Sequence, residues 1–232
     1  MHQLQQDIIA CRKCPRLVAW REEVARTKRK AYRDWEYWGK PVPGFGDFKA
    51  RVLVLGLAPG AHGSNRTGRM FTGDGSGDFL FPALYRAGFA SQPSSKFRGD
   101  GLQLIDCWIT ASCRCAPPAN KPTTEELANC FPWLLQETLL LPKSEGIVLL
   151  GKIALDTLLK LPGFSDLPKS KFPFGHGSFY QPEGLPWFIC SYHPSLQNTQ
   201  TGRLTVEMFD QVWQRARQLI ENGSHGEPGT NV

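Results

Sequence analysis

VLVLGLAPGAHGSNRTGRMFTGD, residues 52–74, joins two contrasting patterns. Arg51 to Leu55 reads as a fully buried strand: short, apolar and bounded by turn residues. The following stretch, Gly56 to Asp74, is a long Gly-rich loop with two Arg, one His and an Asp, and only Leu57, Met70 and Phe71 as large apolar groups. It lacks the GK[ST] of a phosphate-binding P-loop and the G-x-G-x-x-G of a dinucleotide site. A passive connector remains open. The alternative is an active-site loop whose Gly and Ala let backbone amides approach a substrate closely. In it, Phe71 can stack on a planar ring and Asp74 can orient a water or stabilise a cation. Asn65 can hydrogen-bond a base or phosphate, and Arg66 and Arg69 can meet phosphates.

Working outward, the same alternation recurs. Trp108–Thr110, Ile147–Gly151 and Trp187–Ser191 read as further strands. Helical spacing marks Gln3 to about Val24, Phe79–Ala87, Thr123 through Leu140 with a capping signal, Lys152–Leu161 and Leu204–Ile220. Arg26–Arg33 is basic and reads as a solvated helix end, and Trp35 to Gly46 as an aromatic, Pro/Gly-rich loop. Strands alternating with helices predict a parallel sheet covered on both faces. Ligands of such sheets sit beyond the carboxyl ends of the strands. The loops leaving at Gly56, Thr110 and Tyr192 are therefore expected to converge on one site. The expected organisation is one domain over 1–220 and a polar, disordered tail over 221–232.

The loop SYHPSLQNTQTGR begins at Ser191. His193 stands at the strand end and Pro194 turns the chain. Ser195, Asn198, Thr199 and Thr201 can contact phosphates. Leu196 is an apolar residue in a polar loop, suited either to wedge into duplex DNA or to pack back on the domain. No G-x-S-x-G elbow accompanies Ser191 or Ser195, which argues against a serine esterase.

The chain has 232 residues, seven of them Cys, and Lys plus Arg exceed Asp plus Glu by 27 to 21. The excess of cations favours a polyanionic partner. No apolar run suits a signal peptide or a membrane span, so a cytoplasmic protein is expected, in which Cys favours metal over disulfides. Cys11 and Cys14 form C-x2-C, and Cys115 and Cys130 lie far downstream. Four thiolates in two pairs can hold zinc or a [4Fe–4S] cluster. Cys107, Cys113 and Cys190 read as buried apolar residues, with Cys113 open as a rival ligand.

Together these segments resemble the uracil-DNA glycosylase superfamily, and most closely its iron–sulfur family 5, also called UDGb. CRKCPRL from Cys11 and PVPGFGD from Pro41 carry the likeness, with GLAPGAHGSNRTGRMFTGDGSG from Gly56. TASCRCAPPANKPTTEELANC from Thr110 and YHPSLQNTQTGRLTVEMF from Tyr192 complete it. The resemblance implies a three-layer α/β/α fold around a mostly parallel four-stranded sheet. It implies a [4Fe–4S] cluster on Cys11, Cys14, Cys115 and Cys130. It further implies hydrolysis of the N-glycosidic bond of uracil, hypoxanthine or xanthine in double- or single-stranded DNA, leaving an abasic site.

On that resemblance, Leu57 and Ala58 amides bind base oxygens, Phe71 stacks on a flipped base and Leu196 holds the gap. His193 stabilises charge on the departing base, Asp74 orients water, and Asn120 is a further candidate for placing water or base. Ala58, Gly60 and Ala111 stand where better-known relatives carry a water-activating polar residue, a pocket-closing Tyr and a uracil-reading Asn. Their small side chains predict a roomier, less selective base site. The rival readings are a non-catalytic iron–sulfur nucleic-acid-binding protein and a zinc-stabilised nucleotide hydrolase. A monomer is expected.

Overall fold

The computed structural model describes residues 1–223. Its strands are β1 (Phe45–Gly46), β2 (Val52–Gly56), β3 (Cys107–Ala111), β4 (Gly146–Leu150), β5 (Phe179–Tyr180) and β6 (Trp187–Ser191). Its helices are α1 (His2–Ala10), α2 (Pro15–Thr27), α3 (Ser64–Thr67), α4 (Gly75–Arg86), α5 (Thr124–Leu139), α6 (Lys152–Leu158), α7 (Leu196–Gln200) and α8 (Val206–Gly223).

One sheet runs in the order β1-β3-β2-β4-β6-β5. Its centre, β3-β2-β4-β6, is parallel throughout, and every residue of these four strands is buried. Side chains alternate along each strand. Val52 and Val54 of β2 enter one core with α4 and α8, whereas Leu53 and Leu55 enter the other with α5 and α6. Two separate cores, one on each face, explain why the strands read as unbroken apolar runs. The fold is therefore of the expected three-layer α/β/α type.

The sheet has six strands rather than four. The extra two, β1 and β5, are two-residue antiparallel edges on β3 and β6. Such short pieces carry no periodicity to read, and β1 lies in what reads as a Pro/Gly loop. The predicted helix from Gln3 to Val24 is two helices broken at the C-x2-C. Pro15 sits at the first turn of α2 and holds Cys14 extended (φ −113°, ψ 94°), so Cys14 caps α2 while Cys11 ends α1. At the other end α8 continues to Gly223, so residues 221–223 of the predicted tail are helical; the rest of that tail lies outside the described residues.

Candidate active site

β2, β3 and β6 end at Gly56, Ala111 and Ser191, at one end of the parallel sheet, and the loops leaving them meet there. Ser112 and Cys113 N–H groups donate to the Gly56 and Leu57 carbonyls, both at 2.9 Å, tying the second loop to the first. The Phe71 and His193 rings lie 5.8 Å apart at 30°, tying the first to the third. Leu196 rests on Gly75, where an added Cβ would fall 2.6 Å from a Leu196 methyl.

Asp74 has two tasks, one for each oxygen. Its Oδ1 accepts the Ser76 and Gly77 N–H groups, both at 3.1 Å, and so caps α4. Its Oδ2 accepts no hydrogen bond among the described residues and lies against the Gly60–Gly63 turn. A Cβ at Gly63 would sit 1.8 Å from it. Burial raises the Asp74 pKa, partly offset by the Gly77 and Ser76 bonds. A half-buried carboxylate with one uncommitted oxygen suits a water-orienting base.

His193 has its backbone, not its ring, tied down. Ser195 N–H and Asn198 Nδ2 both donate to its carbonyl at 2.8 Å. The ring finds no hydrogen-bond partner among the described residues. Burial lowers its pKa to about 4, so near neutral pH the imidazole is uncharged and donates or accepts as a dipole. Behind it, Tyr192 N–H donates to His176 Nδ1 at 3.3 Å, leaving Nε2 to donate to the Met208 carbonyl at 3.2 Å. That positioning histidine was not legible in the sequence, where it stands alone in a Gly/Pro-rich stretch.

The predicted base-binding residues divide. Leu57 and Ala58 N–H groups have no acceptor among the described residues, so both are free to bind a ligand oxygen. The Phe71 ring is 8% exposed and forms a floor rather than a projecting platform. It has a left-handed backbone (φ 52°), which costs about 1–3 kcal/mol and is typical of sites held by their surroundings. Gly56 makes room for it, since a Cβ there would be 2.9 Å from the ring. Ala111 is buried opposite Gly56 and serves as wall, not partner. The space beside Gly60 is not simply empty: Asp74 Oδ2 would lie 2.9 Å from a Cβ there.

The predicted DNA contacts need correction. Asn65 is fully buried and its Nδ2 donates to the Arg21 carbonyl at 3.2 Å, so its side chain cannot reach DNA. Arg66 is buried too. Its guanidinium lies 3.9 Å from the Tyr32 ring centre and 4.1 Å from that of Trp35, and it donates to the His62 and Gly73 carbonyls, both at 2.7 Å. Arg69 is paired with Asp100 at 2.7 Å. These polar groups brace the loop from within. Ser195 caps α7 and Asn198 spends its amide on His193, whereas Leu196 is 55% exposed and remains available to a partner. Asn120 stands exposed in a left-handed turn (φ 56°), with no side-chain contact to Asp74 or His193.

Beside the loop start lies a cavity lined by Cys11, Cys14, Cys115 and Cys130, and Ala58 packs against the same cysteine cluster. Arg21, 2% exposed, donates to Cys115 Sγ at 2.9 Å, and its Nε has no partner. Cys113 does not line the cavity; its thiol donates to the Cys115 carbonyl at 3.5 Å. Burial raises Cys14, and raises Cys115 to about 12; in the Cys113–Cys130 pair, contact between the two sulfurs holds Cys130 below the ordinary thiol range. No three His, Cys, Asp or Glu side chains among the described residues converge on a single-ion site. Zinc requires sulfurs about 2.3 Å from one point. Four thiols around a shared cavity, with a buried cation to offset the net negative charge that four thiolates bring, fit a group large enough to span them, such as a [4Fe–4S] cluster.

The walls of this cavity are braced by ion pairs. Arg16 of α2 forks onto Glu126 of α5 at 2.7 Å through both nitrogens. Arg114 and Glu137 form a pair with side chains 1% and 0% exposed, and Thr110 joins it. Neither pair was foreseen, because charged residues far apart in sequence give no pairing signal.

The uracil DNA glycosylase superfamily profile matches residues 43–217. The chain is 56% identical to a type-5 uracil-DNA glycosylase of Thermus thermophilus over 92% of this chain and 95% of that protein. It is 50% identical to a type-5 uracil-DNA glycosylase of Mycobacterium leprae, over 94% of each. A type-4 uracil-DNA glycosylase of Pyrobaculum aerophilum is 34% identical over 69% of this chain and 74% of its own.

Proposed function

The chain belongs to the uracil DNA glycosylase superfamily, and from that premise we propose that it hydrolyses the N-glycosidic bond of uracil in DNA, leaving an abasic site. The observation that carries the reading is that Asp74, whose Oδ2 accepts no hydrogen bond among the described residues, and His193, whose neutral ring makes none there, stand on loops joined through the Phe71–His193 and Gly75–Leu196 contacts. Bond cleavage leaves a cationic sugar and an anionic base. The Asp74 carboxylate stabilises the first and orients the attacking water. The His193 N–H and the Leu57 and Ala58 amides stabilise the second as preorganised donors. A base inside a duplex is shielded, so it leaves the stack to reach this site, with Leu196 filling the gap.

Base recognition through backbone amides, without a side-chain partner at Ala58, Gly60 or Ala111, rejects alternatives weakly. Hypoxanthine and xanthine are proposed as further substrates on that ground. Cys11, Cys14, Cys115 and Cys130 would hold the [4Fe–4S] cluster, whose part is to cross-link α1, α2 and α5 behind the base site. A DNA substrate places the reaction where the chromosome is; no helix among the described residues is long and apolar enough to cross a membrane.

The test uses a duplex with one uracil at a known position, followed by alkaline cleavage of abasic sites. A strand shortened only at the uracil is expected. An intact duplex after incubation with cluster-loaded protein overturns the proposal. Full activity of Asp74→Asn would remove Asp74 as the base. The rival, a binding protein without chemistry, predicts retention of the labelled duplex with no shortened strand.

A further inference from the structure

Residues 28–39 form a strap across the first loop. Trp38 N–H donates to the Arg66 carbonyl at 2.9 Å, and Gly39 N–H to the Asn65 carbonyl at 3.0 Å. Tyr37 Oη meets His62 Nδ1 at 3.1 Å, and Arg29 N–H donates to the same hydroxyl at 3.4 Å. Tyr32 and Trp35 lie on the Arg66 guanidinium, which in turn holds the carbonyl of Gly73, the neighbour of Asp74. The strap is thus indexed to the catalytic carboxylate through one buried arginine.

Along it, Arg29, Lys30 and Arg33 are exposed and none makes an ion pair among the described residues. The acids of the same stretch, Asp34 and Glu36, are also exposed and make no ion pair among the described residues. Some surface cations elsewhere, such as Arg12, Arg86 and Lys152, are matched to carboxylates; Lys49, Lys143 and Lys160 are exposed without an ion pair among the described residues, so the strap is set apart by its anchoring and not by unpaired charge alone. A solvated helix end would not be clasped by aromatic rings, backbone bonds and a buried guanidinium. We propose that Arg29, Lys30 and Arg33 form a phosphate-binding rim that seats the duplex backbone beside Asp74. The identity of the partner rests on the glycosylase reading; the rigidity and charge of the rim do not.

The experiment compares Arg29→Gln/Lys30→Gln/Arg33→Gln with a charge-matched control, Lys49→Gln/Lys143→Gln/Lys160→Gln. The control lysines are exposed and lie before β2, before β4 and after α6, at the opposite end of the strands. Affinity for an undamaged duplex is measured against salt concentration. Each phosphate contact contributes a slope of about 0.9 in log K against log salt. The strap variant is expected to lose about two to three of those units and the control none. Equal losses in both variants, or an intact salt slope in the strap variant, overturns the proposal. Because binding is read on undamaged DNA, it decides the rim even if wild-type protein proves unable to cleave at uracil.

Discussion

The cysteine side of the molecule and the loop junction above the sheet lie back to back, with Ala58 shared between them, yet they are built on opposite terms. Around the cysteines, charges are spent: Arg16 on Glu126, Arg114 on Glu137, and Arg21 on Cys115. At the junction, polar groups are held in reserve: the His193 ring, Asp74 Oδ2 and the Leu57 and Ala58 amides. The bracing region commits its charged groups to one another, though Arg21 Nε and Arg114 Nε stay buried without a partner, whereas the reacting region leaves its polar groups for a substrate and relies on its neighbour for rigidity.

The contrast breaks most severely at Glu137. Glu137→Ala strands the buried Arg114 guanidinium, and loss of a partner from such a pair costs about 3–5 kcal/mol. Chemical denaturation is expected to show that loss, and a midpoint close to wild type would remove the pair from the bracing set. His193→Ala should do the reverse, lowering the single-turnover rate by about 10²–10³ with little change in stability. A fall of under about threefold, well short of that range, excludes the ring from the mechanism.

The same histidine sharpens the contrast through pH. Its folded pKa of about 4 lies below the ordinary value of 6.5, so protons bind the unfolded chain more readily. Its contribution is complete above pH 6.5 and declines as pH falls from there toward 4. Wild type should therefore lose stability across that window by more than His193→Gln does, as measured by thermal unfolding; parallel curves would refute the assignment. Asp74 separates cap from chemistry. Asp74→Asn keeps a side-chain oxygen for Ser76 and Gly77, whereas Asp74→Ala loses the cap at about 1 kcal/mol, and both should lose activity. The smallest effect is expected at Leu196. Leu196→Ala should weaken cleavage of duplex by less than about tenfold, on the order of 1 kcal/mol, and leave single-stranded substrate unaffected. Equal losses on the two substrates would argue against a wedge.

Much of this was legible. β2, β3, β4 and β6 announced themselves because both faces are buried, and the three loops at their ends were the ones that meet. Asp74, His193 and the four cavity cysteines were visible as chemistry-bearing residues outside any apolar pattern. Asn65 and Arg66 were misplaced for an instructive reason. Polar side chains in a Gly-rich loop look like surface, but a loop too long to be stiff by itself needs an internal polar frame, and these residues supply it. The edge strands were too short to carry a pattern. The break between α1 and α2 was signalled only by Pro15, inside a stretch otherwise helical in spacing.

That break has a consequence for synthesis. α1 and α2 have 9 and 13 residues, lengths at which isolated helices are marginal in water. Asn65 reaches the Arg21 carbonyl early, but the partners that join the pair to the cysteine cavity, Glu126, Cys115 and Cys130, are translated about a hundred residues later. The helix pair must then wait on the ribosome, or just outside it, until α5 emerges, and closing so long a loop carries an entropic cost that only the cysteine joint and its ion pairs offset. Ribosome-stalled chains ending before Thr124 should accordingly be clipped by protease within residues 2–27, and chains extending past Leu139 should resist; protection in the shorter chains would mean that the joint assembles without its second half.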